Sequence, residues 1–489
     1  MAGIGFALQQ LDRRGTALSG ASALLGGAIA TSGAWLVTVA SLALLAIPAS
    51  WFDSSDFLTS LRLSIVYAFM IAMVASAAPT LMATKRISDS LYSGKLEAVP
   101  FILLKSILWS AMTTLALSMV IWIIVIPQSL AMGAAYIATT LTVSIQWPLM
   151  VVCGSVMRFR PVILAYLAGG LVSVTGASIA LVSDASLPLA LLCFTGGQMV
   201  TVCILLERAM SIFPFPVSST AYLRHRKSTK SGALALLGVA AAIGAAGLWV
   251  DRWVIWTSKF GTKTVEGLPN SALYDTPLFW AQLMLIPGLA AFLVHLETGL
   301  VRNLRQFVAS ILSHATLAEI DQLGETLAEQ VHRRLGIIFR AETVLCLAVA
   351  ICAPLFAEQL GMTYRQISVY RIALAGVACH FVFIACSGIV LMIDRRLEFA
   401  ILQGIFLVAN GVSAAAVVLF GERFLGTNYL VAASISALIA WWAMQRALTD
   451  VTYHTFMDAV FRPSEEQSDQ SEQSVSQRGA LAARMPNET

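Results

Sequence analysis

The feature that most constrains this chain is a succession of unbroken apolar runs, many longer than the ~20 residues a helix needs to cross a bilayer. Inside hydrocarbon no water is available to the backbone, so a spanning segment must satisfy its own hydrogen bonds. A helical bundle and a closed barrel are the only solutions. Barrel strands are about half as long and alternate apolar with polar residues; these runs are continuous. Composition agrees. Only 12% of residues are charged and 58% are hydrophobic, with a mean hydropathy of +0.79, whereas soluble domains carry about a quarter of their residues as charges. The expected fold class is all-α: a polytopic membrane protein with about 12 transmembrane helices in two six-helix lobes.

The runs predict spans near 21–48, 61–82, 101–126, 131–152, 161–183 and 187–206, then near 233–256, 275–298, 338–357, 367–393, 398–420 and 428–448. The domain reading is a first lobe at 1–206, a basic cytoplasmic linker at 207–232, a second lobe at 233–457 and a disordered cytoplasmic tail at 458–489. The tail is rich in Ser, Gln and Glu and has no core-forming pattern. Arg13 and Arg14 precede the first run, and Ala46-Ile47-Pro48-Ala49 faintly resembles a cleavage site. A signal-peptide core is shorter, about 7–15 residues, so this run reads as a retained span.

Charge placement sets orientation, because Lys and Arg collect on the cytoplasmic side. With the N-terminus inside, 24 of the 31 Lys and Arg fall on the inner side. The outer side receives only Arg62, Arg252, Lys259, Lys263, Arg365, Arg371 and Arg423. Both termini are then cytoplasmic, and an inner bacterial membrane is the expected location. Between 302 and 334, Leu304, Phe307, Ile311, Ala315, Ala318, Ile320, Leu323, Leu327 and Val331 recur at helical spacing. This predicts a cytoplasmic amphipathic helix, either a surface extension of the eighth span or a docking surface.

Several function classes drop out. The one long outer loop, Thr257–Asp275, is too short for a folded receptor ectodomain. No G-x-x-x-x-G-K-[ST] loop occurs, since Gly94-Lys95 is followed by Leu96. There is no H-E-x-x-H and no evident G-x-S-x-G, so no catalytic residues are assigned and no enzyme is expected. A membrane-embedded glycosyltransferase would have to draw its acids from Asp53, Asp56, Asp184, Asp251 and Asp275. The seven cysteines lie in apolar stretches with no C-x-x-C pair, as packing residues do. No metal, cofactor or nucleic-acid partner is expected. What remains is transport, with Pro79, Pro148, Pro287 and Pro354 bending spans either statically or as part of a rocking cycle.

Polar groups within spans are costly and so are candidates for a substrate path. They are His380 with Arg371, Glu342 with Arg340, His295 with Glu297, and the uncharged Gln198, Gln282 and Asn410. Arg340, Glu342 and Glu297 are alternatively interfacial residues that snorkel or pair, and His380 is either lumenal or a packed core group. The amides are either ligands for a neutral, hydroxyl-rich substrate or interhelical glue. Asp251 and Arg252, among Trp249, Trp253 and Trp256, fit an aromatic belt anchoring the outer interface. A proton-trading antiporter wants a carboxylate deep in a span, and no acid reads as clearly mid-membrane.

Short strings then carry a family likeness: Met1-Ala2-Gly3-Ile4-Gly5-Phe6, Ser32-Gly33-Ala34-Trp35, Asp89-Ser90-Leu91-Tyr92 with Glu97, and Trp249-Val250-Asp251-Arg252-Trp253. His295-Leu296-Glu297-Thr298, Asp394-Arg395-Arg396 and Tyr453-His454-Thr455-Phe456 complete the set. In order and position the chain resembles the PelG family, the membrane exporter of the Pel exopolysaccharide machinery. Ala34 departs from the family's proline, and Ala7 stands where an acid is expected. The resemblance implies the multidrug/oligosaccharidyl-lipid/polysaccharide exporter superfamily: two six-helix lobes around a central cavity and no nucleotide hydrolysis. It also implies an N-acetylhexosamine-rich polysaccharide substrate, a cytoplasmic glycosyltransferase, small inner-membrane scaffold subunits and surrounding membrane lipid. A small-molecule antiporter or lipid-linked oligosaccharide flippase of the same superfamily is the alternative.

The topology is testable: reporters fused at Lys227 and Lys263 are expected on opposite sides of the membrane, and the same side for both would break the span assignment.

Overall fold

The computed structural model describes residues 55–124, 129–155, 160–183, 185–220, 231–264, 267–313, 315–357 and 362–461. The span expected at 21–48, the basic stretch 221–230 and the tail from 462 onward lie outside these residues. Among the described residues, ten helices are long and apolar enough to cross a membrane, and a bent pair brings the number to 11.

The first lobe consists of α1 (Ser55–Tyr92), α2 (Val99–Ile124), α3 (Leu130–Ser155), α4 (Arg160–Val182) and α5 (Leu187–Ile212). In the second lobe, α6 (Ser231–Gly247) and α7 (Val250–Trp256) form the bent pair, at 44° to each other. An outer ribbon follows, β1 (Thr262–Lys263) antiparallel to β2 (Pro269–Asn270), with Thr262 opposite Asn270. The next span is also interrupted: α8 (Ala272–Gln282), α9 (Leu285–Ala291) and a π-helical turn, Phe292–Glu297. Then come α10 (Thr298–Leu312), α11 (Leu317–Phe356), α12 (Tyr364–Met392), α13 (Arg396–Phe420), α14 (Thr427–Thr449) and α15 (Val451–Phe461).

Two cores correspond to the lobes. One joins α1 to α5 and takes in Trp249, Trp256 and Leu268; the other runs from Leu237 to Leu448. The lobes meet where α6 packs on α1, with Gly238 against Met82 and Ala78. The outer faces are apolar. On α11, Val344, Leu347, Ile351 and Leu355 are each at least 60% exposed. A helix face like that belongs in lipid, since water does not tolerate so large an apolar patch.

Residues 302–334 form two helices rather than the single one expected. The physical reason is a capping box at Thr316. Its hydroxyl accepts from the Glu319 amide at 3.4 Å, and Glu319 Oε2 accepts from the Thr316 amide at 3.0 Å. These bonds start a new helix, so α10 folds back on α11. Phe307 packs on Ile320 and Val451, and Asn303 Nδ2 donates to Gln330 Oε1 at 2.6 Å. With 40 residues α11 is about 60 Å long, roughly twice the hydrocarbon thickness, so its first half stands outside the lipid. The tight turn from α12 to α13 places Asp394 at φ 66°, where its carboxylate accepts from Arg396 Nε at 2.7 Å and Nη2 at 2.9 Å.

In the first lobe, α4 and α5 approach through Gly169-x-x-x-Ser173 on one helix and Gly197-x-x-x-Thr201 on the other. Ser173 Oγ donates to the Phe194 carbonyl at 2.8 Å across the contact, the small-residue packing expected in lipid. A Cβ on Gly197 would run into the Ser173 amide and the Gly169 carbonyl, whereas one on Gly196 meets nothing within 4 Å. Gly197→Val is therefore expected to cost about 1–3 kcal/mol, read as a lower thermal midpoint of the purified protein, while Gly196→Ala leaves the midpoint unchanged.

Candidate functional site

The site begins with a backbone problem. Where α6 gives way to α7, the Gly247 and Leu248 carbonyls lose their regular helical partners inside the membrane, and irregular backbone there must be satisfied by side chains. Asn410 Nδ2 donates to the Gly247 carbonyl at 2.9 Å, and Arg252 Nη1 donates to the Leu248 carbonyl at 3.0 Å. Gly247 lacks a side chain where Phe406 of α13 closes in, which lets Asn410 reach the break.

Arg252 then organises its surroundings. Its Nη2 donates to Gln282 Oε1 at 2.7 Å, its Nε faces Asp275 Oδ1 at 4.0 Å, and its guanidinium lies 4.6 Å over the Trp249 ring. Asp275 Oδ2 accepts from Trp256 Nε1 at 2.7 Å and from the Ser271 amide at 2.8 Å. Trp256 stacks on Tyr67 of α1 at 5.0 Å, and the Tyr67 hydroxyl donates to the Pro269 carbonyl at 2.6 Å. The network thus reaches the other lobe at its outer end.

A second branch starts at Asp251. Its Oδ2 accepts from the Tyr274 hydroxyl at 2.5 Å, and that hydroxyl accepts from Asn428 Nδ2 at 2.6 Å. A third unit is His380, whose Nδ1 lies 2.6 Å from the Tyr429 hydroxyl, with Phe406 and Phe383 against the ring. Gln282 also interacts with Tyr429, joining the units.

The anchoring reading of Asp251 and Arg252 is corrected. They are 0% and 4% exposed, because the broken helix needs Arg252 inside and Tyr274 holds Asp251. Trp253 donates to Met70 Sδ of α1 at 3.2 Å and so ties the lobes together. Of the path candidates, the structure gathers His380, Gln282 and Asn410. Gln198 belongs to a separate first-lobe network, accepting from Gln146 Nε2 at 3.0 Å and donating to Ser173 Oγ at 3.1 Å. Glu342 is buried apart, against Gly288 and Phe381. Arg340 and Arg371 are exposed, and Arg371 Nε donates to the Ala350 carbonyl at 2.9 Å. His295 and Glu297 lie in the π-helical turn.

Sequence reasoning missed Tyr67, Tyr274, Asn428 and Tyr429. Tyr274 was the accessible one: it sits beside Asp275 at the start of an apolar run. Among the described residues no group of three or more His, Cys, Asp or Glu is placed to hold a metal ion.

A two-lobed helical bundle with interrupted spans is the fold of MATE-type structures. The fold is similar to that of a mutant form of the Vibrio cholerae MATE transporter VcmN, with a TM-score of 0.62 and 13% identity over 92% of this chain and 98% of that one. It is also similar to an outward-facing multidrug resistance MATE transporter of the MOP superfamily (TM-score 0.55, 12% identity, 88% and 96% covered). The MATE transporter ClbM in complex with Rb+ gives a TM-score of 0.53 at 15% identity, with 88% and 96% covered. No curated protein matches the sequence. Within this fold the chain belongs to the PelG family, described as putative exopolysaccharide exporter (EPS-E), whose model matches residues 1–456.

Removing Arg252 leaves the Leu248 carbonyl, Gln282 and Asp275 without their shared donor. Arg252→Leu is expected to destabilise the protein by roughly 3–5 kcal/mol, seen as a large drop in thermal midpoint, and adding Asp275→Asn to that variant recovers part of the loss.

Proposed function

We propose that this chain exports an exopolysaccharide from the cytoplasm to the periplasm across a bacterial inner membrane, with both termini cytoplasmic and without catalysis of its own. The observation that carries the reading is the family match across residues 1–456, and the inward bias of 24 among 31 Lys and Arg supports the orientation. The sequence offers no nucleotide-binding loop, so the work of export has to come from elsewhere.

The polymer in this reading is Pel-like and N-acetylhexosamine-rich, destined for a biofilm matrix. A cytoplasmic glycosyltransferase supplies it, and small inner-membrane scaffold subunits stand alongside. The exposed start of α11, with Glu319, Asp321, Glu325 and Glu329, offers surface outside the lipid for such contacts.

A small-molecule antiporter is the second reading, favoured by the buried Asp251. Gene deletion separates the two. Export predicts loss of secreted polymer with synthesis in the cytoplasm intact and drug tolerance unchanged. Unaltered secretion with a changed drug profile would overturn it.

A further inference from the structure

Several cations at the basic ends of the spans carry an acid of their own. Lys85 has Asp89 at 3.1 Å, Arg395 has Glu398 at 2.7 Å, Arg396 has Asp394 at 2.7 Å and Arg446 has Asp450 at 3.8 Å. Arg333 and Arg340 of α11 differ. Both are exposed, and neither makes an ion pair among the described residues. Glu329, one turn before Arg333, is exposed and does not reach it.

The two arginines lie on the face of α11 that meets lipid. By the 3.6-residue repeat, positions 333, 337, 340, 344, 347 and 351 fall on one side of the helix. There Ile337, Val344, Leu347 and Ile351 are each more than half exposed. Counted back from Phe356, the last residue of α11, ~20 residues fill the ~30 Å of hydrocarbon and put its edge at Gly336. Arg333 then stands at headgroup level, and Arg340 starts about one turn inside the hydrocarbon. Side chains of a helix lean toward its N-terminus and cover the turn before them. Arg340 therefore rises out of the hydrocarbon toward Arg333, its stem lying along apolar surface.

The turn it covers contains Gly336, between the two arginines on the same face. A Cβ at Gly336 would meet nothing within 4 Å. Glycine inside a helix is destabilising relative to alanine, and no neighbour packs against this one to require it. The result is an open notch with a guanidinium on either side and an apolar strip running from it into the bilayer. A guanidinium binds phosphate through two parallel N–H bonds. A zwitterionic lipid brings its own cation to such a place, whereas an anionic one leaves its charge for the arginines.

We infer that Arg333, Gly336 and Arg340 form a site for one anionic phospholipid. Its phosphate sits in the notch between the guanidinium groups, and an acyl chain lies along Ile337, Val344, Leu347 and Ile351. On the orientation proposed above the lipid belongs to the cytoplasmic leaflet; the site itself does not depend on what the lobes carry. A lipid held there fixes the depth at which α11 leaves the bilayer, and with it the height of α10, which folds back on this helix.

Native mass spectrometry of the full-length protein in detergent, titrated with phosphatidylglycerol, tests this. Wild type should bind one phosphatidylglycerol in preference to phosphatidylcholine. From the usual contribution of a cation near a membrane surface, Arg333→Gln and Arg340→Gln should each weaken binding about fivefold, and together about 25-fold. Gly336→Leu keeps both charges and raises helix propensity, yet should weaken binding by filling the notch. Arg446→Gln, whose charge Asp450 already matches, should leave the affinity unchanged. Equal binding of the two lipids, or an equal loss in Arg446→Gln, would reduce the effect to diffuse attraction and overturn the site. Wild-type affinity in the double variant or in Gly336→Leu would do the same. Displacement of the lipid by inorganic phosphate at equal concentration would assign the notch to a soluble anion and refute the lipid. Both arginines are exposed, so the variants are expected to keep the wild-type thermal midpoint; if the double variant does not fold, each single variant carries the same test.

Discussion

The structure of the second lobe depends on two backbone carbonyls, those of Gly247 and Leu248, left without regular helical partners inside a medium that offers no water. Arg252 and Asn410 reach them. Once Arg252 is committed to that break, a guanidinium sits within the membrane. Gln282 and Asp275 gather around it, and Trp256 and Tyr67 follow from Asp275. A packing compromise in one helix thereby becomes a polar network that extends to the other lobe.

The two lobes solve burial differently. In the first, α4 and α5 are drawn together by glycines and hydroxyls, and Gln146, Gln198 and Ser173 pair among themselves. Such contacts are neutral and close-fitting. The second lobe carries breaks in two spans and buried carboxyl oxygens without hydrogen-bond partners at Asp251, Asp275, Glu342 and Glu398. Interrupted helices with costly side chains persist only where the surroundings hold them in place, and in membrane transporters such places serve binding and movement.

Family membership and fold come from different observations. The match across residues 1–456 identifies a putative exopolysaccharide exporter family. The likeness to MATE transporters, at 11–15% identity, speaks to the arrangement of helices alone.

The sequence by itself determined the membrane class, the existence and order of the described spans and the family, because hydrophobic length and short motifs are local properties that one reads along the chain. It also marked Gln282, Asn410 and His380 as polar groups in costly places. Tertiary structure alone decided the rest. Asp251 and Arg252 follow Trp249 in a pattern that fits an interfacial belt equally well, and only the 44° bend at Gly247–Val250 turns them inward. Residues 302–334 have one continuous helical periodicity, which a capping box at Thr316 divides. For Asp251 and Arg252 the deciding partners, Tyr274 and Gln282, are 23 and 30 residues away in sequence, so those contacts could not be read from local pattern. The Thr316–Glu319 box, by contrast, is a local pattern that the helical periodicity ran across.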